Sequence, residues 1–516
     1  MTPAPDPQAR LLRLQSTVVG FFIALPWLNP YTAGPAPAVL PWLVTLASLA
    51  LVLLWVKSVR LADVAPVAWL VAALLSAVIG LLQYFGAAAA FEPWVNVTAL
   101  GEAFGNLRQR NQFATLTNIG LASLLWWVAQ MQLPAALPLD AARLNRQGAS
   151  PGLVMLLTAL LAAGNAASSS RTGLLELILL AALIFIWGRW RQSGPRQVIL
   201  TALLAYAGAV VLLPLLGGLD PRAAGMLARL HEGDPACSSR LTLWSNVLHL
   251  IAQKPWLGWG WGELGYAHFI TLYPGARFCD ILDNAHNLPL HLALELGLPL
   301  AVLVCASAAW ALWRNHAWRE PDRTRQLAWT VLALILLHSM LEYPLWYGPF
   351  QVAAGLSLWL LWRSGARPAP RLPAYLAPLM ALLLLAASGY AAWDYQRISQ
   401  IYLSPAQRSK PYQEDTLAKI SDSWLFANQV RFAQLTTTAL TPDNAGSVHE
   451  QAAALLHFSP EPRVIEMLIE SAALLGREDE VQFYLLRYQA AFRENYTQWA
   501  QKIAPASARA AASASD

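Results

Sequence analysis

The stretch Val64-Ala-Pro-Val-Ala-Trp-Leu-Val-Ala-Ala-Leu-Leu-Ser-Ala-Val-Ile-Gly-Leu-Leu-Gln-Tyr84 carries no charged residue. A bilayer's hydrocarbon core of about 30 Å takes roughly 20 helical residues to cross, and this run supplies them. Working outward, apolar runs are read at 13–29, 38–57, 64–84, 111–131, 151–168, 172–190, 197–216, 285–313, 326–342, 346–363 and 373–392. The expected fold is all-α, a polytopic helical membrane protein of about 11 spans. Composition agrees. The 516 residues are 56% hydrophobic and 13% charged, whereas a soluble domain is about a quarter charged. The net charge of +5 reflects basic loops and gives no reason to expect a nucleic-acid partner.

The first run, Thr17 to Leu28, lacks a small-residue cleavage site and leads at once into Pro-rich sequence and another span. It reads as a retained helix rather than a signal peptide. Orientation follows from Lys and Arg in the short loops. Arg10 and Arg13, Lys57 and Arg60, Arg143 and Arg146, Arg189 to Arg196, Arg314 to Arg325, and Arg363 to Arg371 all fall on one side if the N-terminus is cytoplasmic. The opposite face then receives Tyr84–Arg110, the turn Ser168–Arg171, the long loop 217–285, the turn Glu342–Leu345 and everything after Trp393.

The expected organisation is a transmembrane domain over 1–392, with 217–285 as a large periplasmic loop. A periplasmic helical domain follows over 393–502, and a disordered tail over 503–516. The loop holds an amphipathic helix near Ser239–Gln253. Trp256, Trp259 and Trp261 follow it in a Gly-rich stretch and read as headgroup anchors, direct contact with sugar being the alternative. Within 393–502, helical patterns at Ser421–Thr438, Ala445–His457, Pro462–Leu475 and Asp479–Ala500 alternate with Pro, Gly and Asp breaks. Val464–Gln489 reads as a helical hairpin turning near Gly476, in the manner of tetratricopeptide packing, although no fixed repeat is visible. Cys237 and Cys279 share the long loop. A disulfide is expected there in an oxidising periplasm, two unpaired thiols being the alternative. Cys305 lies in an apolar helix and reads as inert packing.

Four arginines break the orientation rule. Arg108 and Arg110 lie in Gly105-Asn-Leu-Arg-Gln-Arg-Asn, Arg171 in Ser168-Ser-Ser-Arg-Thr-Gly, and Arg240 in Ser238-Ser-Arg-Leu-Thr-Leu-Trp. Each alone could snorkel or pair with an acid, Glu102, Glu176 and Glu232 being the candidates. Together their planar forks suit a pyrophosphate. His286, in Asp283-Asn-Ala-His-Asn-Leu-Pro-Leu, opens the eighth span on the outer side. It can accept a proton from a hydroxyl nucleophile, or simply cap the helix. His291, five residues on, matches the same face poorly. Glu342 and Tyr343, in His338-Ser-Met-Leu-Glu-Tyr-Pro-Leu-Trp-Tyr, end the ninth span where Pro344 breaks it. They read either as a structural cap or as groups that orient His286 or the acceptor. There is no HExxH, no CxxC and no Gly-rich nucleotide loop, so no metal or nucleotide cofactor is expected.

These residues resemble a known family. Ser239–Gly265, followed by His286-Asn-Leu-Pro-Leu and Glu295-Leu-Gly, resembles the core of the O-antigen ligase and polymerase superfamily. The motifs around Gln109 and Tyr343 narrow this to bacterial protein O-oligosaccharyltransferases of the PglL type, and the helical C-terminal segment is similar to the domain that follows the membrane part in that group. The resemblance runs from about residue 100 to residue 490.

It implies a GT-C-like fold and metal-independent transfer of a whole glycan from undecaprenyl pyrophosphate to an acceptor hydroxyl at the periplasmic face. It implies that Arg171 and Arg240, with Arg108 and Arg110, clamp the pyrophosphate. His286 would deprotonate or orient the acceptor, and Gln109 and Tyr343 would be essential. Glu342 and Asn287, read from the residues and not from the resemblance, are candidates to orient their neighbours. The implied partners are the lipid-linked glycan as donor, membrane lipids, and a periplasmic acceptor such as a pilin. Two other readings stay open. One is an O-antigen ligase acting on lipid A-core, or a polymerase. The other is a lipid-linked glycan transporter without catalysis, which would show more charge in mid-span and internal symmetry.

Overall fold

The computed structural model describes residues 7–131, 150–232, 236–363, 373 and 375–513. Of the basic clusters used for orientation, Arg143, Arg146, Arg367 and Arg371 lie outside these residues. The described residues are helical, without strands. In chain order, the first eight helices are α1 (Pro7–Leu28), α2 (Val39–Trp55), α3 (Leu61–Tyr84), α4 (Arg110–Met131), α5 (Pro151–Ala167), α6 (Arg171–Ile186), α7 (Ser193–Leu216) and α8 (Gly225–Glu232). Then come α9 (Arg240–Gln253), α10 (Leu264–Ile270), α11 (Leu288–Leu296), α12 (Leu298–Arg314), α13 (Arg323–Ser339), α14 (Gly348–Arg363) and α15 (Leu376–Ser399). The chain ends in α16 (Thr416–Ile420), α17 (Ala427–Thr437), α18 (Ala445–Leu455), α19 (Pro462–Leu474), α20 (Glu478–Ala491) and α21 (Arg493–Ser513).

By length and composition, five of the described helices can cross a membrane: α1, α3, α7, α12 with its extension to Arg319, and α15 with its extension to Tyr402. α2 and α5 are shorter apolar helices. The chain forms two compact units. The first comprises Met1–Gly233 and Ala311–Ala392; the second comprises Asp234–Trp310 and Trp393–Asp516.

α4 is the central strut of the first unit. It packs against α3, α5, α6, α7 and α13, and its residues from Asn111 to Trp126 are all buried. Small residues allow these close crossings, as apolar helices that cannot rely on water to drive them together require. A Cβ on Gly120 would collide with Ala73 of α3, and one on Gly173 would collide with Ala114 of α4 and the Asn165 carboxamide.

The second unit has two apolar clusters. One gathers Leu243 and Val247 of α9, Leu264 and Ala267 of α10, the loop residues Phe278, Leu282 and Ala285, and Leu294 of α11. The other gathers α17 to α20 around Leu435, Val448, Leu468 and Tyr488, and includes Phe269 of α10. α10 thus joins the large loop to the C-terminal helices. Arg487 of α20 reinforces the joint, its Nε donating to Ile270 O at 2.6 Å. α19 and α20 form the expected hairpin, and Gly476 makes the turn at φ 70°.

Three sequence expectations change. The apolar run 285–313 is two helices, α11 and α12, broken at Gly297 (φ 86°). α21 continues to Ser513, through most of the stretch expected to be disordered; its alanines have the highest intrinsic helix propensity. Residues 514–516 lie outside the described residues. Cys305 is exposed rather than packed, because α12 buries only Ala301 within the protein.

Candidate functional site

Each of the expected motifs in the first unit starts or ends a helix. Gln109 precedes α4, and its Oε1 accepts from Gln112 N at 2.7 Å. That bond satisfies one of the orphan donors of the first turn. Ser170 caps α6 in the same way, accepting from Gly173 N at 3.0 Å. Glu342 closes the turn after α13, its N–H donating to His338 O at 2.8 Å.

Asn111 ties these three points together. Its Oδ1 accepts from Ser170 Oγ at 2.6 Å, and its Nδ2 donates to Glu342 Oε1 at 3.0 Å. Asn111 and both partners are buried. The Gln109 motif, the triple-serine turn and the Glu342–Tyr343 motif therefore meet at one end of the first unit. Below Asn111 the polar chain continues. Thr115 Oγ1 lies 2.6 Å from Glu176 Oε1 and 2.9 Å from His338 Nδ1. Asn118 Nδ2 donates to Glu176 Oε2 at 3.0 Å, and Asn165 Nδ2 donates to Asn118 Oδ1 at 3.1 Å. Four helices, α4, α5, α6 and α13, are pinned by this one network.

The arginines of the first unit have protein partners. Arg110 pairs with Glu102 at 3.2 Å. Arg108 donates to Asn96 Oδ1 at 3.0 Å and to Pro30 O at 3.3 Å. Arg171 donates to the carbonyl of Arg229, and Arg229 Nη1 donates to Ser169 O at 3.2 Å. Of the acids weighed from sequence, Glu102 takes Arg110, while Glu176 serves the buried network instead. Tyr343 stacks on Tyr347 with centroids 5.9 Å apart.

Arg240 and His286 belong to the second unit. Arg240 begins α9, whose cap is Ser239 accepting from Thr242 N at 3.2 Å. One turn on, Trp244 Nε1 donates to Ala285 O, the residue before His286, at 3.2 Å. α9 thus holds the segment that carries the histidine. Asn284 Oδ1 accepts from His286 N at 3.0 Å, and Asn287 Oδ1 caps α11 by accepting from Leu290 N at 3.1 Å. Cys237 and Cys279 are paired, with Cα atoms 5.3 Å apart. His291 and Glu295 are buried on α11 and approach to 3.3 Å. Glu295 Oε1 accepts from Gly262 N at 3.0 Å, so this carboxylate anchors the Gly-rich stretch that carries exposed Trp256 and Trp261.

The backbone marks the same places. Five described non-glycine residues have left-handed φ: Arg108, Ser169, His286, His316 and Asp415. Three of the five lie in the motifs singled out from sequence. Such conformations cost energy and concentrate at functional sites.

Sequence reading missed Asn111, Ser170, Thr115, Asn118 and His338 as members of one network. A signal was present. Asn111, Thr115 and Asn118 recur at i, i+4 and i+7 in an otherwise apolar helix, the spacing of a single helical face. The His291–Glu295 pair also has i, i+4 spacing.

Comparison with known proteins follows the same order along the chain. Residues 103–128 match the family of protein glycosylation ligases, 156–305 that of O-antigen ligases, and 326–506 the family described as virulence factor membrane-bound polymerase, C-terminal. These matches bear out the recognition made from the motifs: the chain resembles PglL-type protein O-oligosaccharyltransferases within the O-antigen ligase superfamily. Two relatives come from Acinetobacter baylyi. A general O-oligosaccharyltransferase is 27% identical over 157 residues, covering 28% of this chain and 27% of the relative. A ComP-specific O-oligosaccharyltransferase is 26% identical over 259 residues, covering 49% of this chain and 43% of the relative. The chain thus spans under half the length of the curated relatives it matches.

Proposed function

We propose that this protein is a glycosyltransferase that moves a preassembled glycan from undecaprenyl pyrophosphate to Ser or Thr hydroxyls of periplasmic, pilin-like proteins. In this reading it crosses the bacterial inner membrane about 11 times, with a cytoplasmic N-terminus. The large loop, the active site and the C-terminal helices lie on the periplasmic side. The observation that carries it is the Asn111 bridge. It gathers the Gln109 motif, the Arg171 turn and the Tyr343 motif, all carried over from the family resemblance, at one end of one unit.

The acceptor hydroxyl oxygen attacks the anomeric carbon. The bond from that carbon to the phosphate oxygen breaks, and undecaprenyl pyrophosphate leaves. His286 takes the hydroxyl proton, a role typically worth about 10²–10⁴-fold. Arg171 and Arg240, with Arg108 and Arg110 in support, hold the charge that develops on the leaving group. Gln109 and Tyr343 act beside them as essential residues, and Glu342 and Asn287 hold their neighbours in place. The glycosyl phosphate is already activated, so the reaction needs neither nucleotide nor metal.

Reconstitution with lipid-linked glycan, a pilin and a chelator tests this, with glycosylated pilin as the expected product. The matches to O-antigen ligase and polymerase families support a second reading, in which the acceptor is lipid A-core or another lipid-linked repeat. Glycan appearing on those acceptors and not on the pilin would establish the second reading over the first. His286→Ala is expected to abolish transfer at unchanged expression; full transfer by that variant removes the histidine from the mechanism.

A further inference from the structure

Arg277 lies outside the machinery described above. It sits in the second unit, on the loop between α10 and α11, and is partly buried. Its Nη1 donates to Thr271 O at 2.9 Å. Its guanidinium carbon stands 5.5 Å from the centroid of the Tyr273 ring. Its Nε is buried and meets no hydrogen-bond partner among the described residues. Arg110, Arg325 and Arg397 each have a carboxylate partner, but no ion pair involves Arg277 among the described residues. Burial lowers its pKa to about 10, so it remains a cation at neutral pH.

The described side chains that hold it in place are uncharged. Tyr273 Oη lies 2.8 Å from His268 Nδ1, and His268 Nε2 lies 3.2 Å from Phe278 O. Burial, with the Arg277 charge second, lowers His268 to about 3, so its ring carries no charge at neutral pH. Asn246 of α9 brackets the arginine. Its Nδ2 donates to Ala276 O at 2.9 Å and its Oδ1 accepts from Phe278 N at 2.8 Å. The Cys237–Cys279 disulfide holds the next turn of the loop. A partly buried cation without a counter-charge is costly unless an anion joins it. Among the described residues no carboxylate pairs with it, its Nε is unpartnered, and the backbone on either side of it is clamped.

We propose that Arg277 and Tyr273 form an anion subsite that binds the carboxylate of an acidic sugar in the transferred glycan. This rests on the glycan-transfer reading. A single guanidinium matches a single charge, and a carboxylate carries one, whereas a phosphate monoester carries nearly two at neutral pH. The Tyr273 ring, fixed by its hydroxyl's contact with His268, positions the guanidinium that stands over it.

The test is ligand-observed NMR on the purified full chain, with glucuronate, glucose and inorganic phosphate as probes. Glucuronate is expected to bind in preference to glucose, and R277Q to weaken it by about tenfold or more, the usual scale for losing a charge-assisted hydrogen bond. R277K keeps the charge and loses the fork, and is expected to fall between; it serves if R277Q does not fold. No preference for glucuronate over glucose in the unaltered protein, or equal affinity in R277Q and R277K, overturns the subsite. Phosphate binding more tightly than glucuronate at Arg277 overturns the carboxylate assignment. In transfer assays R277Q is expected to raise KM for an acidic donor and leave a neutral donor unaffected. Absence of transfer by the unaltered protein with either donor would instead remove the enzymatic reading while leaving the binding result to stand by itself.

Discussion

Asn111 uses both halves of its carboxamide, one on Ser170 and one on Glu342, in a place closed to water. Replacing it by Ala leaves a buried carboxylate and a buried hydroxyl each short of a partner, at about 1–3 kcal/mol for each such group. Asn111→Ala is therefore expected to lower the melting temperature in detergent and to reduce transfer sharply, because three motifs lose their common tie. Unchanged melting with full transfer would show the bridge to be idle. His268 gives a pH signature at the same scale. Its folded-state pKa of about 3 lies below the ordinary 6.5. The unfolded chain thus binds this proton at a pH where the folded chain does not. The resulting stability is complete above about pH 6.5 and is lost as pH falls toward 3. Denaturation midpoints measured from pH 8 to pH 4 should fall more steeply for the unaltered protein than for His268→Leu. Identical slopes would contradict the assignment.

At the scale of elements, the broken helix α11–α12 is decisive. Gly297 has φ 86° and ψ 160°, a region essentially restricted to glycine. A Cβ there would also meet the backbone of Trp256. The break lets Leu298 N donate to Pro255 O at 2.8 Å, and Gly260 N reaches Glu295 O at 3.0 Å. The Gly-rich stretch is fastened to the end of α11 in this way. Gly297→Ala is expected to cost at least about 1–3 kcal/mol from the backbone alone and to loosen the tryptophan loop, read as faster proteolysis between 255 and 265. The disulfide acts on the same loop from its other end. It joins residues 42 apart, and removing such a crosslink typically costs about 2–4 kcal/mol. The Cys237→Ser, Cys279→Ser double variant should melt earlier and be cleaved sooner in this loop; equal melting under oxidising and reducing conditions would rule the contribution out.

At the scale of the molecule, the large loop and the C-terminal helices share one compact unit through α10. The C-terminal helices are therefore packed with the loop rather than set apart from it. Deleting residues after Arg397 removes the partners of Phe269 and of the Ile270 carbonyl, and leaves the His286-bearing loop poorly supported. Transfer to a short free peptide should then be lost along with transfer to a whole pilin. Retained transfer to the peptide alone would mean that these helices serve the acceptor and not the loop.

Much of this was legible in the residues themselves. Runs without charge locate the apolar helices, because a buried helix must be apolar around most of its surface. Ser239 and Gly476 announce helix ends through capping and left-handed chemistry that local sequence determines. The motifs around Gln109, Arg171, Arg240, His286 and Tyr343 announce a family. What only the tertiary structure decided is which distant residues share a bond. Asn111 could have faced any of its neighbouring helices, and Glu176 could have paired with a misplaced arginine. Gly297 could have been one more small residue in a long span. Those outcomes depend on the rotation and separation of helices far apart in the chain, set by close contacts such as Gly173 against Ala114, and no local propensity encodes them.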